Sequence, residues 1–205
     1  RRQMATTTKK LIAAMVIAIA SATAAASAQP FMPTGNLSTQ PVGHYEFCKR
    51  EAQECQRIRE AAPVKLSREL WATIIEVNNL VNTMITPRTD YEMWGIEEHW
   101  SYPVHGLGDC EDYVLEKRRR LIAAGIPGSN LPITVVRQPN GDGHAVLTVR
   151  TNMGDFILDN LEARVLAWQE TDYRYLKRQS PKHAGMWVAI DDDRNVLVGS
   201  VSGRR

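Results

Sequence analysis

The 205 residues, 43% of them hydrophobic, suffice for one domain of ordinary size, whose folding buries roughly 70% of the surface its unfolded chain exposes. A disulfide framework is not required to hold it. The formal charge of +2 rests on 25 Lys and Arg against 23 Asp and Glu, and four of those cations fall in residues 1–28, which hold no acid. The remainder carries 21 basic and 23 acidic residues, a formal charge of −2, a balance that offers no basic footprint for nucleic acid or an anionic membrane.

Lys9 and Lys10 precede the uncharged run LIAAMVIAIA and then small residues ending Ala26-Ser27-Ala28, the pattern of a secretory signal peptide with its cleavage site. That apolar run is about ten residues long, well short of the roughly 20 that span a bilayer. The expectation is an exported chain cut near Ala28, periplasmic or secreted and not membrane-spanning. Residues 29–45 are rich in Pro, Gly, Ser and Thr without periodicity and read as an extended arm. Residues 46–205 form the single domain.

A first helix is predicted over about 46–61, ending before Pro63, which disfavours helical geometry at Ala62. It would carry Cys48 and Cys55. Export favours pairing these two thiols, but seven residues of unbroken helix separate Cα atoms by about 10.5 Å, against a limit near 7 Å. The bridge therefore requires the helix to break between them. A second helix starts after Ser67 as N-cap, with Leu70, Ile74, Val77, Val81 and Ile85 at the spacing of one buried face.

Residues 86–108, TPRTDYEMWGIEEHWSYPVHGLG, show no sustained pattern; so long a connection inside a domain is uncommon and often functional. A helix follows over about 109–124, with Gly125 just past its end. Beyond it the period changes to two. Residues 133–137, 144–150 and 155–160 read as strands, followed by strand candidates at 173–179, 186–190 and 195–200. Helices first and antiparallel strands after define an α+β fold.

Cys110 opens the 109–124 helix. There the unsatisfied N–H groups and the positive end of the helix dipole favour a thiolate and could hold an oxyanion. Asp109, Glu111 and Asp112 work against this unless engaged elsewhere, as they would be with Asp109 as N-cap and Asp112 at the third helical position. A thiolate chemistry needs a proton acceptor. His144 begins one strand, and a two- or four-residue connection to the next puts His144, Val146 and Thr148 on one face with Ile157 and Asp159. Ala145, Leu147 and Val149 then meet Phe156 and Leu158 on the apolar side, whereas a three-residue loop would separate His144 from Asp159. The hydrophobic pattern favours the first register, so Asp159 can orient His144.

The runs GDCEDYVLEKRRRLIAAGIP and GHAVLTVRTNMGDFILDN, with WSYP upstream, resemble the bacterial transglutaminase-like cysteine peptidases, a family with periplasmic, adhesin-cleaving members. The resemblance spans about Trp94 to Trp187. It implies a papain-like, transglutaminase-like core in which the nucleophile helix packs on an antiparallel sheet, with Cys110 as nucleophile, His144 as base and Asp159 as orienting acid. The chemistry requires no cofactor. The resemblance also implies calcium held by acids flanking the nucleophile, here Asp109, Glu111 and Asp112; hard oxygen ligands suit that ion, although ordinary helix capping gives the same acids. The expected partners are a protein or peptide substrate of the cell envelope and a regulatory protein. Hydrolysis through a thioester on Cys110, acyl transfer from it to an amine, and a binding module on the same fold all remain open at this point.

Overall fold

The computed structural model describes residues 30–194 and 196. Seven strands form one antiparallel sheet: β1 (Thr34–Ser38), β4 (Ile133–Arg137), β5 (Gly143–Thr151), β6 (Gly154–Leu158), β7 (Leu166–Ala167), β8 (Arg174–Ser180) and β9 (His183–Ile190). Their spatial order is β1-β9-β8-β4-β5-β6-β7. The helices α1 (Val42–Arg50), α2 (Arg68–Met84) and α4 (Cys110–Ala123) lie against one face. This is the α+β arrangement expected, with the helix that begins at Cys110 packed on the interior strand β5.

Alternation along β5 sorts the two cores. Ala145, Leu147 and Val149 join Ile133 and Leu158 in the main core with Ile74, Val77, Val81, Val114 and Leu121 of the helices. Val146 and Ile157 turn the other way, to Trp168, Tyr175 and Ile190. Leu147 faces Leu158 and Thr148 faces Ile157 across β5 and β6, and Thr151 opposite Gly154 closes a two-residue turn. The even-to-odd register expected from the hydrophobic pattern is the one present. Gly154, at φ 134°, stands where a Cβ would come 2.7 Å from the Pro30 carbonyl oxygen.

Helix α2 begins as its sequence indicates, the Ser67 hydroxyl accepting from the Leu70 N–H at 3.1 Å. Helix α1 differs from expectation. It occupies Val42–Arg50 instead of 46–61, and a 3-10 turn at Ala52–Cys55 follows at once. This break brings the Cys48 and Cys55 Cα atoms to 5.6 Å, and the two are disulfide-bonded. Within this helix Trp100 leaves no room for a side chain at Gly43: a Cβ there would fall 2.4 Å from the Trp100 ring. The stretch read as an extended arm, 29–45, therefore contains in its described part a strand paired with β9 and the first turn of α1.

The 86–108 connection is folded down. Two short parallel strands, β2 (Thr86–Pro87) and β3 (Leu107–Gly108), close its ends. Between them α3 (Asp90–Trp94) starts with a Thr89/Glu92 capping box, in which each side chain satisfies an orphan N–H. Trp100 is buried and Trp94 exposed. The strand expected at 195–200 lies outside the described residues, apart from Val196, which is not in a strand.

Candidate active site

Cys110 is the first residue of α4 and the free, partly exposed cysteine of the described residues. Asp109 holds the N-cap position but makes no side-chain cap bond, contrary to the capping expected of it. Backbone from the 86–108 connection competes for these acids: Asp109 Oδ2 accepts the Asp90 N–H at 3.3 Å and Asp112 Oδ1 accepts the Ser101 N–H at 2.8 Å. Asp90, in turn, accepts from the His99 N–H.

The consequence is a cluster of three carboxylates, Asp90, Asp109 and Asp112, whose ligand oxygens all lie within 4.8 Å of one another. One oxygen of each (Asp90 Oδ1, Asp109 Oδ1 and Asp112 Oδ2) is buried without a hydrogen-bond partner. Burial, followed by the charge of Asp90, pushes Asp109 up to about 6; burial pushes Asp112 up to about 8. Glu111, grouped with these acids by the sequence, is not one of the three: the Cys110 thiol donates to its Oε2 at 2.9 Å, although its carboxyl still interacts with that of Asp109. Asp90 takes its place in the cluster.

Burial, and next the Glu111 charge, push the Cys110 thiol well above its ordinary value, while the Ala145 backbone N–H directed at the sulfur pulls it down. The helix start alone therefore does not make the thiolate. Ala145 immediately follows His144, so the sulfur sits against the start of β5.

His144 and Asp159 are buried together, with Nε2 of the imidazole 2.8 Å from Asp159 Oδ1. Asp159 also accepts the Leu161 N–H at 3.0 Å on the same oxygen and the Tyr173 hydroxyl at 2.5 Å on Oδ2. Burial raises this carboxyl, but the bonds from His144, Leu161 and Tyr173 outweigh it and hold Asp159 below its ordinary value. Asn82 of α2 fixes the backbone at the same place, donating to the Asp159 carbonyl at 2.8 Å. With Nε2 committed to Asp159, Nδ1 is the nitrogen left for proton exchange. The Tyr173 ring stands edge-on to His144, with centroids 5.6 Å apart. Beside Asp159 and Tyr173 opens a cavity of about 290 Å³, walled also by Gln138, Leu161, Arg164 and Asp172.

Sequence reasoning missed Asp90 and Tyr173. The capping box at Thr89 was a legible sign of a helix start beside Asp90, but nothing in spacing ties that start to Asp109. Tyr173 was read only as the first residue of a strand.

The architecture and this arrangement define a papain-like, transglutaminase-like peptidase core. The chain belongs to the bacterial transglutaminase-like cysteine proteinases, whose family model matches residues 34–195; it is thus a cysteine peptidase, and its substrate is protein. It is similar to the solved structure of Legionella pneumophila LapG, at 29% identity and a TM-score of 0.50, over 58% of this chain and 69% of that one. For calcium-bound Legionella pneumophila LapG the identity is 26% and the TM-score 0.51, over 65% of this chain and 75% of that one. The EGTA-treated form matches at 27% and 0.50, over 64% and 72%. No curated protein matches the chain. No helix of the described residues is long and apolar enough to cross a membrane.

Proposed function

We propose that the protein is an exported endopeptidase that cleaves a protein of the cell envelope through a thioester on Cys110. In this reading His144 Nδ1 takes the thiol proton as Sγ attacks the scissile carbonyl carbon. N–H groups at the start of α4 stabilise the oxyanion. When the tetrahedral species collapses, the C–N bond breaks and the imidazolium gives its proton to the departing amine. Water, deprotonated by the same imidazole, then hydrolyses the thioester and regenerates the thiol. Asp159 keeps the imidazole in the tautomer whose Nδ1 can accept. The observation that carries this reading is the buried 2.8 Å contact between His144 and Asp159, on the strand β5 against which the helix that begins at Cys110 packs.

The orphaned oxygens of Asp90, Asp109 and Asp112 suit a hard divalent cation, and the likeness to a calcium-bound structure supports calcium. Such an ion would supply positive charge beside a thiol crowded by acids. Export rests on the leader in residues 1–28, removed near Ala28.

The test is alkylation and trapping. Iodoacetamide should label Cys110 in the native protein faster than a free thiol at neutral pH, and Cys110→Ala should leave an exported protein accumulating uncut. Labelling no faster than a free thiol, with no change in any exported protein, would overturn the reading. Incorporation of a labelled primary amine into a protein acceptor, without cleavage, would replace it with acyl transfer.

A further inference from the structure

Strands β7 and β8 are consecutive in the chain but have β4, β5 and β6 between them in the sheet. The connection, residues 168–173, must therefore cross the sheet. It does so on the face away from the helices, where Trp168 at its start and Tyr175 just beyond its end pack with Val136, Val146 and Ile157. Belonging to no strand, its backbone has to find partners elsewhere.

Arg194, just past the end of β9, supplies them. Its Nη1 donates to the Trp168 and Thr171 carbonyls, both at 3.2 Å, and its Nη2 to the Tyr173 carbonyl at 2.5 Å. Nε and Nη2 also hold the buried Asp192 carboxylate at 2.8 and 2.9 Å, and Asp192 Oδ2 ties the group to β8 by accepting the Tyr175 N–H at 2.9 Å. The guanidinium lies over the Trp168 and Tyr175 rings, 4.5 and 5.1 Å from their centroids. All the N–H donors of a guanidinium, which lie in one plane, are thus engaged. The last of the three carbonyls belongs to Tyr173, whose hydroxyl meets Asp159 Oδ2. Thr171, Asp172 and Tyr173 also wall the cavity beside Asp159.

We infer that Arg194 is a positioning residue of the site: by gathering the Trp168, Thr171 and Tyr173 carbonyls it fixes the crossing connection so that the Tyr173 hydroxyl reaches Asp159, and through that hydroxyl it sets how the carboxylate faces His144. Arg194 touches neither His144 nor Cys110 and acts only through Tyr173. A lysine cannot replace it, since an ammonium has three donors and no plane to span three carbonyls and a carboxylate. That this orientation serves catalysis rests on the proposed function; that Arg194 sets it does not.

Two readouts test it in the wild type, Arg194→Lys, Tyr173→Phe and the double variant. The first is the Tyr173 hydroxyl proton, which a carboxylate bond shields from exchange and which NMR identifies as the signal missing from Tyr173→Phe. It should be present in the wild type and lost in Arg194→Lys. It should survive in Cys48→Ser/Cys55→Ser, which loosens the core on the other face of the sheet. Absence from the wild type, persistence in Arg194→Lys or loss in the cysteine variant each overturns the inference. The second is the rate at which iodoacetamide alkylates Cys110 at neutral pH. Arg194→Lys should slow it by up to the roughly tenfold expected of Tyr173→Phe, and the double variant should be no slower than Tyr173→Phe, because one substitution has already removed what the other acts through. An unchanged rate in Arg194→Lys, or a double loss equal to the product of the single ones, overturns it as well. If wild-type Cys110 reacts no faster than a free thiol, the proposed function fails, and the hydroxyl signal still decides the role of Arg194.

Discussion

The Tyr173 hydroxyl and His144 Nε2 hold opposite oxygens of the Asp159 carboxylate, at 2.5 and 2.8 Å. The tyrosine thus fixes the plane in which the acid presents itself to the imidazole. Tyr173→Phe keeps the ring edge against His144 and removes only the hydroxyl. A hydrogen bond to a charged group contributes about 1.5–3 kcal/mol, and if most of it acts on the orientation of His144, cleavage should slow by roughly tenfold or more. Comparing the turnover of Tyr173→Phe with that of the wild type checks this. Turnover within a factor of two would mean that Leu161 and His144 orient Asp159 unaided.

His44 is a second buried imidazole, 1% exposed, and it is surrounded by donors. Trp187 Nε1–H donates to Nδ1 at 3.2 Å, and the Gln179 amide nitrogen lies 3.2 Å from Nε2. That amide cannot turn, because its oxygen accepts the Ile133 N–H and its nitrogen donates to the Ala184 carbonyl. Burial, with the Arg118 charge second, lowers His44 to about 4 from 6.5. The unfolded chain therefore takes up this proton first as pH falls. Stability from His44 should be complete above about pH 6.5, decline toward pH 4 and level off below it, by at most about 3 kcal/mol. Urea unfolding of the wild type and His44→Phe at several pH values isolates the contribution. A stability difference between the two that stays constant from pH 7 to 4 would refute it.

How much of this was legible in the sequence follows from where the signals are local. The β5–β6 register was readable because a period of two leaves a single way to bury Leu147, Val149 and Leu158 together, and that register carries Asp159 to His144. Ser67 announced α2 for the same reason: a cap and its periodic face adjoin in sequence. The boundaries of α1 were not readable. Gly43 and Pro41 resemble loop residues, and it is Trp100, 57 positions after Gly43, that makes a glycine necessary inside the helix. Lys117 stands in the charged run EKRRR, yet it is fully buried, a tertiary event with no local mark.

The Cys48–Cys55 bridge closes a short loop, the two residues being seven apart, beneath the Trp100 and Trp187 rings that flank His44. Chain entropy alone assigns such a loop about 2.5 kcal/mol. The Cys48→Ser/Cys55→Ser protein should therefore unfold at a melting temperature lower by about 5–10 °C, while Cys110 still reacts with iodoacetamide. A melting temperature unaffected by the double substitution would show that α1 and the 3-10 turn are held by packing on Trp100 and Trp187 instead.

Asp90 offers the sharpest test of the cation reading, because the sequence motif around Cys110 does not contain it. Its Oδ1 is buried without a partner, next to the orphaned oxygens of Asp109 and Asp112. Three carboxylates so placed repel one another in a poorly solvated corner, and a divalent ion would reverse the balance. A ligand that binds only the folded state, present at a hundred times its Kd, stabilises by about 2.7 kcal/mol, so calcium should raise the melting temperature of chelator-treated wild type by roughly 5–10 °C. Asp90→Asn removes one charge and retains an oxygen for the His99 N–H. Without calcium it should be as stable as the wild type or more so, and with calcium it should gain little. If calcium leaves the melting temperature of the wild type unmoved, the cluster is no calcium site, and the acids around Cys110 must be balanced by protons or by the protein's own cations.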